Sequence, residues 1–169
     1  MKSISKIFVA IGIVLCLTTI SFAEICFNVE FPGKATLDNS TTKGKLGDLK
    51  SSAAYYDAEG FSLVADKMTA PEGLFIEKTP KEIAKSIAGS IAETLGMVTD
   101  IKIANVKDRY VVLMRKDKLI CGMLIIVRPP NIVMLLAVDF DGKHEKEVVN
   151  FFQSFKEIPC NSIGQQQYR

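Results

Sequence analysis

Leu119-Ile120-Cys121-Gly122-Met123-Leu124-Ile125-Ile126-Val127 and Ile132-Val133-Met134-Leu135-Leu136-Ala137-Val138-Asp139, joined by Arg128-Pro129-Pro130-Asn131, decide the fold of this 169-residue chain. Both runs are rich in β-branched residues, and a Pro-Pro pair separates them, so a helix is excluded. The short link leaves no room for the crossover that parallel strands require, which makes the pair antiparallel. Runs that are apolar at nearly every position need cover on both faces of their sheet.

Working upstream, residues 101–106 and 109–115 read as two more strands of the same meander. Their links are equally short and polar: Lys107-Asp108 and Lys116-Asp117-Lys118. Before them, Thr79-Pro80-Lys81-Glu82 combines a capping hydroxyl, Pro at the first helical position and Glu three residues after the cap. Ile83, Ile87, Ile91 and Leu95 then recur every fourth residue beside Ala84, Ala88 and Ala92. This stripe suits close packing on a sheet. Gly89 within it costs ~1 kcal/mol relative to Ala, which implies a close backbone approach there. Gly96 ends the helix, and Ala70-Pro71-Glu72-Gly73 reads as a break before it.

Residues 52–56 and 61–67 form a hairpin around Asp57-Ala58-Glu59-Gly60, and residues 26–31 alternate like a half-buried strand. The polar, Gly-dotted stretch 34–50 reads as a long flexible loop. Downstream, Asp141-Gly142 leads into a last helix over 143–157, with Val148, Phe152 and Phe155 on its apolar edge and Pro159 after it. The fold class is therefore α+β: an antiparallel β-sheet of about six to seven strands covered by two helices.

That order, with Phe27-Asn28-Val29-Glu30-Phe31-Pro32 at one end and Asn150-Phe151-Phe152-Gln153-Ser154-Phe155-Lys156 at the other, resembles the PsbP-like family. The resemblance implies an α-β-α sandwich and, by analogy only, a binding or accessory role. The chain has no Trp, which the opening segment of photosynthetic members often carries. No functional residue carries over.

Met1 to Ala23 has the layout of a secretory signal peptide: Lys2 and Lys6, an apolar run from Ile7 to Ile20, then Ser21-Phe22-Ala23. The run falls short of the ~20 residues a spanning helix needs. Leu15 before Cys16 does not suit lipidation, so cleavage after Ala23 is expected. Removing 23 of the 169 residues leaves 146, enough for one domain at 24–169. The full chain carries 21 basic and 19 acidic residues; loss of Lys2 and Lys6 makes it 19 against 19. A neutral domain has no net field for nucleic acid, so none is expected as a partner. Location follows as exported, periplasmic or extracellular, with no transmembrane span after cleavage.

Three cysteines remain in the expected mature chain. Export allows Cys26 and Cys160 to pair and so tie the domain's ends, for at most ~4–5 kcal/mol in the chain-entropy model. The alternative is three unpaired, partly buried thiols. Cys121, among Leu119, Ile120 and Met123, sits in an apolar setting that suppresses thiolate formation.

Catalytic, cofactor-binding and metal-binding motifs do not emerge, and no cofactor is expected. A Cys121–His144 nucleophile pair can be drawn, but the strand context buries the thiol while the helix start exposes the imidazole. Asp139 and Asp141 flank Phe140 on one side of an extended segment, yet lack the further oxygens of a calcium loop. Glycines 44, 47 and 60 are scattered and make no phosphate loop. Asn39-Ser40-Thr41 matches an N-glycosylation acceptor, which matters only in a eukaryotic secretory pathway. Lys102, Lys107, Arg109, Arg115, Lys116 and Lys118 would form a basic rim if their hairpin ends projected together; as a rule such residues are soluble turns and edge protection.

These readings converge on an exported, non-catalytic binding or accessory protein of the bacterial envelope, with a protein or envelope component as partner and residues 34–50, with the nearby hairpin ends, as the contact surface. Two alternatives are a thiol-dependent enzyme or hydrolase using Cys121 and His144, and a carrier of small apolar ligands held between helix and sheet.

Overall fold

The computed structural model describes residues 25–97, 102–106, 108–160 and 167–168. The leader expected at Met1 to Ala23 lies outside the described residues. In chain order the strands are β1 (Cys26–Val29), β2 (Thr36–Gly44), β3 (Gly47–Ala58) and β4 (Phe61–Thr69), followed by helices α1 (Glu72–Glu77) and α2 (Pro80–Thr94). The meander β5 (Lys102–Val106), β6 (Arg109–Lys116), β7 (Leu119–Arg128) and β8 (Asn131–Asp139) comes next. Helix α3 (Glu145–Ser154) and strands β9 (Lys156–Ile158) and β10 (Gln167–Tyr168) complete the order.

Seven strands form one antiparallel sheet in the order β2-β3-β4-β8-β7-β6-β5. β8 takes the central place, and all nine of its residues are buried. Its two neighbours differ in origin. β7 joins it through the two-residue turn Pro129-Pro130, whereas β4 reaches it only after α1, α2 and the meander have intervened. The connection from β4 therefore crosses one face of the sheet to the far edge, and α2 covers that face on the way.

Period-two alternation divides the core into two layers. On the first face Ile83, Ala84, Ala88 and Ala92 of α2 pack on Val112, Met114, Cys121, Met123, Ile125, Met134 and Leu136. On the second, Phe27, Val29 and Phe31 join Phe151 of α3 over Leu63, Ala65, Ile126, Val133 and Leu135. Burying one such aliphatic or aromatic side chain stabilises by ~1.5–3 kcal/mol. Alternate residues of β8 serve opposite layers, which is why its sequence is apolar throughout. The helix start at Thr79 forms as its sequence indicates. Its Oγ1 accepts from the Glu82 backbone N–H at 3.3 Å, and Glu82 Oε2 accepts from the Thr79 N–H at 2.8 Å.

Four local expectations change. The stretch expected as a loop at 34–50 is a β-hairpin, β2 paired with β3 from Thr36↔Tyr55 to Gly44↔Gly47 around a Lys45-Leu46 turn. All nine β2 residues are exposed. An edge strand that buries neither face carries no alternation, so its polar composition imitates a loop. Gly47 sits at φ +121°, where its missing Cβ also leaves room for Pro71. The last helix stops at Ser154; Phe155 is extended and Lys156–Ile158 pair with β1 instead, Cys26 opposite Ile158. The Ser154 hydroxyl secures that switch, donating to the Phe151 carbonyl at 2.7 Å and accepting from the Glu30 N–H at 2.9 Å. The break at Pro71 carries the short helix α1, whose Leu74 and Phe75 lean on the first layer. Finally, a Cβ placed on Gly89 would meet nothing within 4 Å, so no backbone approaches it.

Among the described residues no helix is long and apolar enough to cross a membrane. Cys26 and Cys160 form a disulfide, their Cα atoms 5.3 Å apart across a separation of 134 residues. It fastens the start of β1 to the segment following β9.

Candidate functional site

β2 and the adjoining ends of β3 and β4 extend the sheet past the two core layers, and polar side chains line the second face there. Register sets their order. Asn39, Ser52 and Lys67 lie directly across from one another on β2, β3 and β4. One step outward, Thr41, Lys50 and Thr69 make a second row, which continues to Asn131 at the start of β8. Cross-strand neighbours hold their Cβ atoms ~4.5–5.5 Å apart, so the rows form one polar patch. Asn39, Thr41, Lys50, Ser52, Lys67 and Thr69, together with residues Ser40, Ser51 and the disulfide-bonded Cys26, line a groove of about 390 Å³.

The chemistry of this groove is uniform. Its side chains offer hydroxyls, an amide and two ammonium groups, and no lining residue is aromatic or acidic. Lys50 and Lys67 occupy diagonal positions on adjacent strands, ~7–8 Å apart at the backbone. The next row outward pairs Lys43 with Asp48, so the second face of β2, β3 and β4 has one acid among its four charged residues. Asp66 points to the first face, where the Ser51 hydroxyl donates to it at 2.8 Å and burial raises its pKa.

Cys121 and His144 are not brought together. Cys121 is 0% exposed in the layer beneath α2, and burial pushes its thiol up to about 12. His144 stacks on Phe61, centroids 4.5 Å apart, and Phe61 belongs to the opposite layer. The imidazole is half-buried rather than solvated, with Nε2 3.6 Å from Asp141 Oδ1. The alanine shoulder of α2, considered as room for an apolar ligand, is filled: Ala84 and Ala88 are fully buried against the sheet.

Asp139 and Asp141 divide their work. Asp139 is 1% exposed and accepts backbone N–H groups from Gly142 at 2.8 Å, His144 at 3.0 Å and Asp141 at 3.3 Å. Both its oxygens thus shape the turn into α3. Asp141 accepts from the Lys143 N–H at 3.1 Å. Among the described residues no three His, Cys, Asp or Glu side chains converge as metal ligands.

Among the described side chains, the basic residues of 100–118 do not project together. Arg109 starts β6 and Arg115 and Lys116 end it, which separates them by the length of the strand. Arg109 donates to Glu157 at 2.7 Å, while Lys116 donates to the Gly96 carbonyl at 2.8 Å. The side chains of Lys102 and Lys107 lie outside the described residues. Arg128 ties both Asp108 and Glu157, the latter at 2.6 Å, so the β6–β7 edge is latched to β9. Hydrogen bonding to Arg128 lowers the pKa of each carboxyl, and the two acids in turn raise that of Arg128.

Sequence reasoning singled out residues 34–50 as the contact surface, and Asn39, Ser40, Thr41 and Lys50 are in the groove. It missed Ser52, Lys67 and Thr69, whose partnership needs the strand register. The alternation Lys67-Met68-Thr69 against Lys50-Ser51-Ser52 is the one signal that pointed to them. Comparison with protein families, curated proteins and solved structures finds no match.

Proposed function

We propose that the chain is an exported binding protein of the bacterial envelope that acts without chemistry of its own. The groove on the second face of β2, β3 and β4 is its contact surface. One observation carries the reading: β2 buries nothing, yet with β3 and β4 it aligns six polar side chains in two rows beside a disulfide-anchored strand. An edge that served only the core would bury apolar residues, and one that served only solubility would need no groove. Export is supported by the signal-like layout of the first 23 residues and by the disulfide, which persists in oxidising compartments. The element order supports placing the domain beside PsbP-like sandwiches, a fold compatible with accessory roles.

Capture of envelope material by wild type and by the triple variant Asn39→Ala/Thr41→Ala/Lys50→Ala tests this. All three residues are exposed, so the variant should melt like wild type by circular dichroism while retaining little of the captured material. Equal capture by the two proteins would remove the groove from the account.

A further inference from the structure

We infer that the outer edge of β2 is a self-association surface, where a second copy of this chain pairs antiparallel about a two-fold axis at Ser40. This goes beyond the binding role proposed above and does not depend on it, because it uses the backbone edge of β2.

Backbone hydrogen bonding defines the surface. β2 ends the seven-stranded sheet, and among the described residues no strand pairs its outer side. The hairpin closes with Gly44 opposite Gly47 across a two-residue turn, so those two residues exchange hydrogen bonds. Every second residue back along the strand (Thr42, Ser40, Asp38 and Thr36) faces β3 in the same way. Leu37, Asn39, Thr41 and Lys43 therefore aim their N–H and C=O groups outward. Proteins blunt such an edge with a short strand, a proline, a bulge or clustered charge. β2 runs nine residues without proline and keeps one register with β3 from end to end. Its two charged residues, Asp38 and Lys43, have opposite sign, and Leu37 is 63% exposed.

Symmetry then names the partner. A two-fold axis normal to the sheet keeps like faces together, so residues of even number pair with even and odd with odd. An axis at Ser40 pairs all nine residues of β2. Moving it by one position leaves either Thr36 and Leu37 or Lys43 and Gly44 without a strand partner. In the full register Leu37 meets Lys43 of the second copy and Asn39 meets its Thr41. Both are hydrogen-bonded pairs, and the axis repeats each, so the outward backbone groups of these residues are all satisfied. Asp38 meets Thr42, and Ser40 meets its own copy. Like charges never stand opposite one another, and the Lys43 stem covers the exposed Leu37. A foreign strand would need a matching pattern of its own; a second copy supplies it from the same residues.

Sedimentation velocity of the folded chain tests the inference. One added strand is small beside the ~1,200–2,000 Å² of stable complexes, so a concentration-dependent dimer is expected between about 10 μM and about 1 mM. Thr41→Pro removes an outward N–H that β3 does not use, a change that edge strands tolerate. It should weaken the dimer about tenfold or more while keeping the circular dichroism of wild type. Ser40→Cys reads the register without a proline. Ser40 and its copy form a non-hydrogen-bonded pair with Cα atoms ~4.5 Å apart, within disulfide reach. That variant should give a covalent dimer on mild oxidation. Thr42→Cys, displaced from its copy by ~13 Å along the strands, should not. A species of monomer mass across the whole concentration range would overturn the inference. So would a dimer that Thr41→Pro leaves intact, or cross-linking of Thr42→Cys equal to that of Ser40→Cys.

Discussion

Removing the bridge with Cys26→Ala and Cys160→Ala should be the costliest change available outside the two core layers. The disulfide spans 134 residues of chain. In the chain-entropy model a loop of that length restricts the unfolded ensemble by about 5 kcal/mol at 25 °C. Residual structure in the denatured chain reduces the gain, so a loss of about 3–5 kcal/mol is expected. With a urea dependence of about 1–3 kcal/mol per molar, the unfolding midpoint should fall by about 1–5 M. Urea titrations of wild type and the double variant, each with and without reductant, would measure this. Reductant should bring wild type down to the level of the variant and leave the variant unmoved. The strand contacts β1–β9 and the second-face core remain in the variant, so it should refold with native circular dichroism. A midpoint change under about 0.3 M would refute the reasoning, because β1 would then be held by its packing alone.

Gly89→Ala should stabilise the protein by about 0.8–1 kcal/mol and raise Tm by about 2–4 °C, since α2 gains helix propensity and the added Cβ meets empty space; a lower Tm by calorimetry would show that something packs there. Cys121 should resist maleimide in the folded protein and react fully after unfolding, with no change in His144→Ala; labelling of the native protein that drops in that variant would revive a nucleophile pair. The pKa values of Asp108 and Glu157 lie below their ordinary 3.8 and 4.5, so the Arg128 latch contributes stability above that range that is lost as pH falls through it. Asp66, raised by burial, acts in the opposite sense, gaining stability as its carboxyl protonates. Urea midpoints from about pH 6 to about pH 3 should therefore fall less steeply in Arg128→Gln than in wild type, and parallel curves would contradict the latch.

The central sheet was legible because Leu124 to Val127 and Ile132 to Leu136 left one physical solution, a paired interior strand with two covered faces. The Thr79-Pro80-Lys81-Glu82 start was equally plain, since capping is a local interaction. Elements with no local signature were harder. Nothing within β2 marks it as a strand, because exposure on both faces erases the period that identifies one. The end of α3 is set by Ser154 and by pairing of Lys156–Ile158 with β1, a partner more than a hundred residues away. For the same reason the groove was half visible: its hairpin members share one stretch of sequence, whereas Lys67 and Thr69 join them only through register. His144 shows the limit from the other side, as its charged neighbours suggested solvent and Phe61 supplied a stacking surface.

The claim that the groove is the contact surface is tested most directly by retention of the exported protein on isolated envelope material. Wild type is compared with Asn39→Ala/Thr41→Ala/Lys50→Ala at matched folding and concentration. At least a tenfold loss of retention in the triple variant is predicted. Retention equal to wild type would contradict the account.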